Sequence, residues 1–176
     1  MVPSAGVAVP GWPVTQFRDE FWFLSNFYDR PVCFEDIWYP SNEHAFQAAK
    51  TDDMRLRKLI AEAGTPREAK AAGRRLALRP DWEQVKHSVM LSVSLVKYTM
   101  HADLRAALLH TGDRLLIEGN TWGDTEWGAV PSGQHTAGVS LPVWTGGREI
   151  LYGHNWLGWT LMVVRDVLAG SGPVPR

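Results

Sequence analysis

A chain of 176 residues, 45% hydrophobic and 21% charged, is sized for one folded domain whose core closes without metals or disulfides. A net charge of −1 excludes a protein that holds nucleic acid by charge alone, though not one that grips it locally. The single cysteine, Cys33, excludes an internal disulfide and a cysteine-based zinc site; between Val32 and Phe34 it reads as a small buried hydrophobe.

Residues 1–13, rich in Pro, Gly, Ala and Val, predict a loose N-terminal arm, and the tail from Gly170 reads the same way. The arm lacks the basic start and continuous apolar run of a signal peptide, and no stretch is apolar enough to span a bilayer. A cytoplasmic protein with no membrane partner is therefore expected. Phe21–Tyr28 and Val32–Pro40 together suggest a strand, a loop carrying Ser25 and Asn26, and a second strand.

Helical signals follow. Ser41 or Asn42 can cap "NEHAFQAAK", and "DDMRLRKLIAEAG" starts on acidic residues and stops at Gly64. "TPREAKAAGRRLAL" has Thr65 as cap and Pro66 at the first helical position. "RPDWEQVKHSVMLSVSLVKYTM" carries a drifting apolar stripe, and "ADLRAALLHTG" ends at Gly112. Arg114–Gly119 is then a strand candidate feeding a Gly/Trp/Asp loop, and the breaker-rich stretch from Val130 to Gly153 resists assignment. "NWLGWTLMVVRDVLAG" closes the chain as an amphipathic helix. The sum is an α+β fold, mostly helical, one domain over 14–169, with a few short strands and Trp/Gly-rich loops forming the pocket.

Three features carry candidate chemistry. Glu43, Gln47 and Lys50 stand at i, i+4 and i+7, on one face of a helix. That face is either a solvated stripe or one wall of a reaction site, in which a carboxylate moves a proton and a desolvated lysine attacks an aldehyde carbon. Asp124 sits in "NTWGDTEWG", bracketed by Trp122 and Trp127, and is either a turn-stabilising aspartate or a partner for Glu43. In the second reading, a carboxylate stabilises the positive charge that breaking a glycosidic C–N bond places on a ribose. Nine tryptophans, against about two in average usage, include several beside Gly or Asp on loops, where flat side chains can stack on bases. The six histidines show no compact ligand spacing, so no metal is expected, and neither dinucleotide nor P-loop glycine motifs occur.

"FLSNF", "YPSNEHAFQAAK", "AAGRRLALRPDWEQVKHSVM", "LIEGNTWGDTEWG" and "HNWLGWTLMVVR" occur in this order over roughly residues 17–168. Together they resemble the NADAR superfamily, whose bacterial members include the YbiA-like N-glycosidases. The resemblance implies a cofactor-independent hydrolase of N-glycosidic bonds on ribose-phosphate or ADP-ribose compounds. Two substrate classes come with it: early phosphoribosyl-aminopyrimidine intermediates of riboflavin synthesis, and ADP-ribose on guanine bases of DNA or RNA. It puts the family glutamate on Glu43, the aspartate on Asp124 and the Schiff-base lysine on Lys50. Trp82 falls on the family's pocket tryptophan, and Ser25, Asn26, Arg74 and Asn155 fall on ligand-binding positions. Many YbiA-like members carry a serine-proline type segment before the aspartate; here Trp122 stands in "NTWGD", which suits a flat base. A non-catalytic ADP-ribose or NAD reader is the rival from another class.

Overall fold

A computed structural model describes residues 11–134, 142–145 and 150–170. The chain folds into two compact units: residues 26–102, and the flanking segments up to Ser25 and from Asp103 onward. No helix among the described residues is long and apolar enough to cross a membrane.

The central unit begins with a hairpin, β1 (Val32–Phe34) and β2 (Ile37–Tyr39), paired antiparallel with Val32 opposite Tyr39. Glu35 and Asp36 join the strands, both with positive φ, the backbone that a two-residue turn must adopt to match strand twist. Four helices follow: α1 (Asn42–Ala48), α2 (Met54–Ala61), α3 (Pro66–Gly73) and α4 (Trp82–Met100). The first three start on side-chain caps that the sequence advertises. Ser41 accepts from His44 N, Asp53 from Arg55 N, and Thr65 from Glu68 N with Pro66 just inside.

Helix α1 touches α2, α3, α4 and both strands, so its seven residues are all buried. That settles the first alternative: the face carrying Glu43 and Gln47 is no solvated stripe. Residues 26–33 run alongside α4. Asn26 Nδ2 donates to Met90 Sδ, and the Lys97 ammonium lies 5.3 Å from the Tyr28 ring centroid. Further along, Arg30 Nε donates to His101 Nδ1, and the other ring nitrogen of His101 bonds the Pro31 carbonyl.

Lys97 is 1% exposed, and burial pushes its ammonium down to about 7, with the Arg30 charge adding to the effect. A lysine whose folded pKa lies below its unfolded value opposes folding fully at low pH. That opposition fades between pH 7 and 10.5, so stability rises with pH across the window. Lys97→Met is expected to be the more stable protein at pH 6, by on the order of a few kcal/mol. The variant should also lose the wild type's rise in Tm between pH 7 and 10. An unchanged pH dependence of Tm would refute this.

The second unit contains a short 3-10 helix (Asp19–Leu24), α5 (Ala102–His110), a small sheet and α6 (Trp156–Leu168). Ala102, the first residue of α5, belongs to the central unit; the rest of that helix belongs here. The sheet is antiparallel in the order β3 (Val130–Pro131), β5 (Ile150–Tyr152), β4 (Pro142–Trp144). Its core joins Ile117, Ala129 and Leu151, while Leu157, Leu161 and Val164 bury the inner face of α6.

Three expectations need correction. Phe21–Leu24 is a 3-10 helix rather than a strand, because Phe21 N bonds to the Arg18 carbonyl and Ser25 N to that of Trp22. The two strands after it are both cut from Val32–Pro40. Arg114–Gly119 forms no strand ladder: Leu116 bridges Val14 and Gly119 bridges Ala129 as isolated pairs. Helix α3 ends at Gly73, before the predicted Leu78, and the chain turns so that Arg79 N can donate to the Lys50 carbonyl. Of the predicted arm, residues 1–10 lie outside the described residues; Trp12 offers its carbonyl to Arg114 Nε at 2.7 Å.

Candidate active site

The central unit assembles a buried polar cluster on α1. Asn26 (7% exposed), Asn42 (2%), Glu43 (5%) and Gln47 (3%) come together. The Asn26 carbonyl accepts from Glu43 N at 3.0 Å, so Asn26 sits on the first turn of α1. Asn42 Nδ2 reaches Asn26 Oδ1 at 3.5 Å. Gln47 Nε2 donates to Glu43 Oε1 at 2.8 Å, one turn along the same face. Glu43 lies in the first turn, where the unsatisfied N–H groups favour a negative charge.

His44 has a structural job. Its Nε2 lies 3.1 Å from the Ala63 carbonyl and its Nδ1 lies 2.8 Å from Ser41 Oγ. The carbonyl can only accept, so Nε2 carries the proton and Nδ1 accepts from the serine hydroxyl. Burial lowers the pKa of the ring, which keeps it neutral in that tautomer.

Lys50 lies just past the C-cap, Ala49, and closes an i→i−3 turn onto the Gln47 carbonyl. It is therefore not on the helix itself, as its spacing suggested. Its Nζ sits 5.9 Å from the Phe46 ring centroid and 5.8 Å from that of Trp82. Those two rings pack tilted at 5.2 Å. Burial disfavours the ammonium and lowers the Lys50 pKa; Glu43 opposes this, while Lys70 and Arg74 reinforce it. Arg74 itself is exposed at the end of α3, so it acts on Lys50 through its charge.

The segment after Lys50 is clamped by two arginines. Arg57 Nε donates to the Thr51 carbonyl at 2.7 Å, and its guanidinium pairs with Glu35 and Asp52. Arg79 reaches Asp52 at 3.6 Å and is held by both oxygens of Asp81. Neither arginine was singled out in the sequence, because charged residues scattered between helices carry no spacing signal.

The other unit holds the tryptophan loop. Asn120, 4% exposed, organises it: Nδ2 donates to the Asp124 carbonyl at 2.7 Å, and Oδ1 accepts from Asp124 N at 3.0 Å. Asp124 Oδ1 accepts from Trp127 N at 2.9 Å, so this carboxylate does stabilise a turn. Trp122 projects from the loop, 57% exposed, while Trp127 is half-buried.

The carbonyls of Thr125 to Gly128 accept from the backbone N–H groups of His154 to Leu157, strapping the loop to the start of α6. Those bonds occupy the Trp156 and Leu157 N–H groups, the first two of α6, which an anion at the helix terminus would otherwise use. Asn155 is 1% exposed and spends both side-chain groups on backbone. Its Oδ1 accepts from Glu118 N at 2.9 Å and its Nδ2 donates to the Leu116 carbonyl at 2.9 Å. Gly158 allows that fit, since a Cβ there would lie 2.6 Å from Asn155 Oδ1. Ser25 is 5% exposed and bonds back to the Trp22 carbonyl.

No group of three or more His, Cys, Asp or Glu side chains placed to hold a metal occurs among the described residues. What the central unit does contain is a buried carboxylate with an oriented oxygen and, beside two aromatic rings, a lysine whose pKa burial lowers. That pairing suits proton transfer and nucleophilic addition.

Comparison with known proteins defines the class. An N-glycosidase of Nostoc punctiforme is 38% identical over 148 residues, 81% of this chain and 83% of the relative. A riboflavin biosynthesis protein of Vibrio vulnificus is 31% identical over 86% of this chain and 36% of its own length. The NMR structure of the E. coli protein YbiA superposes with a TM-score of 0.70 at 33% identity, covering 92% of this chain and 88% of that one. The relatives thus point to hydrolases of N-glycosyl bonds on an α+β fold. The sequence profile of the NADAR domain matches residues 14–169, and the chain belongs to the NADAR family.

Proposed function

We propose that the chain is an N-glycosidase that releases ADP-ribose from guanine bases of nucleic acid. The observation that supports a hydrolase over a reader is the burial of Glu43 beside Gln47, together with a Lys50 amine whose charge is disfavoured. A protein that only grips a phosphate-rich ligand gains nothing by burying a carboxylate.

In this reading the C1′–N bond breaks as positive charge develops on the ribose, and Asp124, at the family aspartate position, stabilises that charge. Glu43 takes a proton from the attacking water and passes it to the departing base nitrogen. The Lys50 amine condenses with the open-chain aldehyde of the sugar, expelling water, and hydrolysis of the imine returns both. Trp82 floors Lys50. Ser25, Asn26, Arg74 and Trp127 complete the binding set, and Asn155 contributes by bracing the backbone.

The choice of base-bearing substrate rests on Trp122. A half-exposed indole on the aspartate loop is a stacking platform for a purine. Trp122→Ala should raise KM for an ADP-ribosylated guanine oligonucleotide about 5- to 50-fold with little change in kcat, the loss of one stacked base. An unchanged KM would remove the support for this substrate.

A second reading, hydrolysis of phosphoribosyl-aminopyrimidines of riboflavin synthesis, is favoured by the relative named for riboflavin biosynthesis. One panel separates the readings: a guanine-ADP-ribosylated oligonucleotide, a phosphoribosyl-aminopyrimidine, and free ADP-ribose as a binding control. Mass spectrometry of the freed sugar is the readout. Release from the oligonucleotide supports the proposal, and release from the pyrimidine alone transfers it to the second reading. Tight binding of ADP-ribose without release from either substrate would make the chain a reader.

A further inference from the structure

We propose that Gln47 is a positioning residue, whose amide fixes the Glu43 carboxylate in a seat that exists only because position 73 is glycine. The inference rests on the reading of Glu43 as the group that handles the proton.

Gln47 Nε2 donates to Glu43 Oε1 at 2.8 Å between side chains 3% and 5% exposed. The amide is this way round because turning it would set its oxygen against a carboxylate oxygen. Its far end is the telling one. Gln47 Oε1 is buried and has no hydrogen-bond partner among the described residues. It faces the end of α3, where a Cβ on Gly73 would collide with Oε1 and lie 2.8 Å from Cδ and 2.9 Å from the Gln47 Cβ. Backbone therefore passes against the amide at a distance no other residue allows.

A buried acceptor left without a partner is destabilising, and a methionine of similar length would fill the same space without it. Packing alone thus favours an apolar side chain at 47. What only the amide provides is an N–H aimed at Glu43. Holding Oε1 stops the carboxylate rotating about its last bond, which sets the plane in which Oε2 presents its lone pairs. The helix spacing of four residues makes this contact, and the wall of α3 keeps Gln47 from swinging away.

The test is Gln47→Met, measured with whichever panel substrate the wild type cleaves fastest. The variant should have a Tm equal to or above the wild type. Its kcat should fall about 10- to 100-fold, the effect of a misplaced catalytic group, with KM within about three-fold. Gln47→Leu, which likewise offers no donor to Glu43, should be no better. Wild-type kcat in either variant overturns the inference, as does a Tm that falls together with kcat and KM, the signature of lost packing. Glu43→Gln separates the two claims. If it is inactive while Gln47→Met is fully active, the positioning role fails and the role of Glu43 stands. If it is active, the reading of Glu43 itself fails. A second measurement needs no substrate: the Glu43 carboxyl carbon resonance, assigned by its absence in Glu43→Gln, should move in Gln47→Met. A resonance that stays in place refutes the contact.

Discussion

Glu43→Gln is expected to lower kcat for the cleaved N-glycoside by about 10²- to 10⁴-fold, the range that general acid–base catalysis contributes. Glutamine matches the volume of glutamate, and its carbonyl oxygen can still accept from Gln47 Nε2, so Tm should stay within a few degrees. KM should change far less than kcat, because the lost step is proton transfer rather than binding. Full activity of the folded variant would remove Glu43 from the mechanism. A variant that loses activity only by unfolding would show it in Tm, and Glu43→Asp, which keeps the acid but withdraws it by one methylene, would then decide. Partial activity in Glu43→Asp is the expected result.

Borohydride reduction during turnover should add the mass of the sugar to Lys50. The amine is the reacting form, and burial lowers the pKa of Lys50, with Lys70 and Arg74 adding to that effect. Trapping should therefore select Lys50 over the exposed Lys58 of α2. The same shift predicts the stability of Lys50→Met. With a folded pKa below 10.5, the ammonium opposes folding at all pH values under the folded pKa, and the opposition fades as pH rises towards 10.5. The variant should thus be no less stable than the wild type at pH 7, while giving no adduct and little turnover. An unmodified Lys50 in an actively turning-over enzyme would exclude the covalent step and leave direct attack by water.

Much of the local structure was legible because its causes are local. Ser41, Asp53 and Thr65 cap their helices through bonds spanning two or three residues, and Pro66 suits a first turn whatever surrounds it. The misreadings have the opposite character. Phe21–Leu24 is as aromatic as a strand, and its 3-10 turns are set by backbone bonds that leave no periodic signature in so short a run. Arg114–Gly119 has strand composition but finds only single-residue partners, at Val14 and Ala129. Pairing depends on what the rest of the chain places alongside, and no window of sequence contains that.

The same division holds for the site. Residue spacing alone dictates that Glu43 and Gln47 share a face, since four residues on a capped helix allow nothing else, and the ordered motifs are enough to point to the family. The sequence could not say whether that face was wet. Only the packing of α2, α3, α4 and the hairpin around α1 decided it, turning a polar stripe into a buried cluster. That packing lowers the pKa of Lys50 by excluding water, and it presses Gly73 against Gln47 from a separate helix. Desolvation and close backbone contact are properties of neighbours, and which neighbours a residue acquires is settled only when the chain has folded.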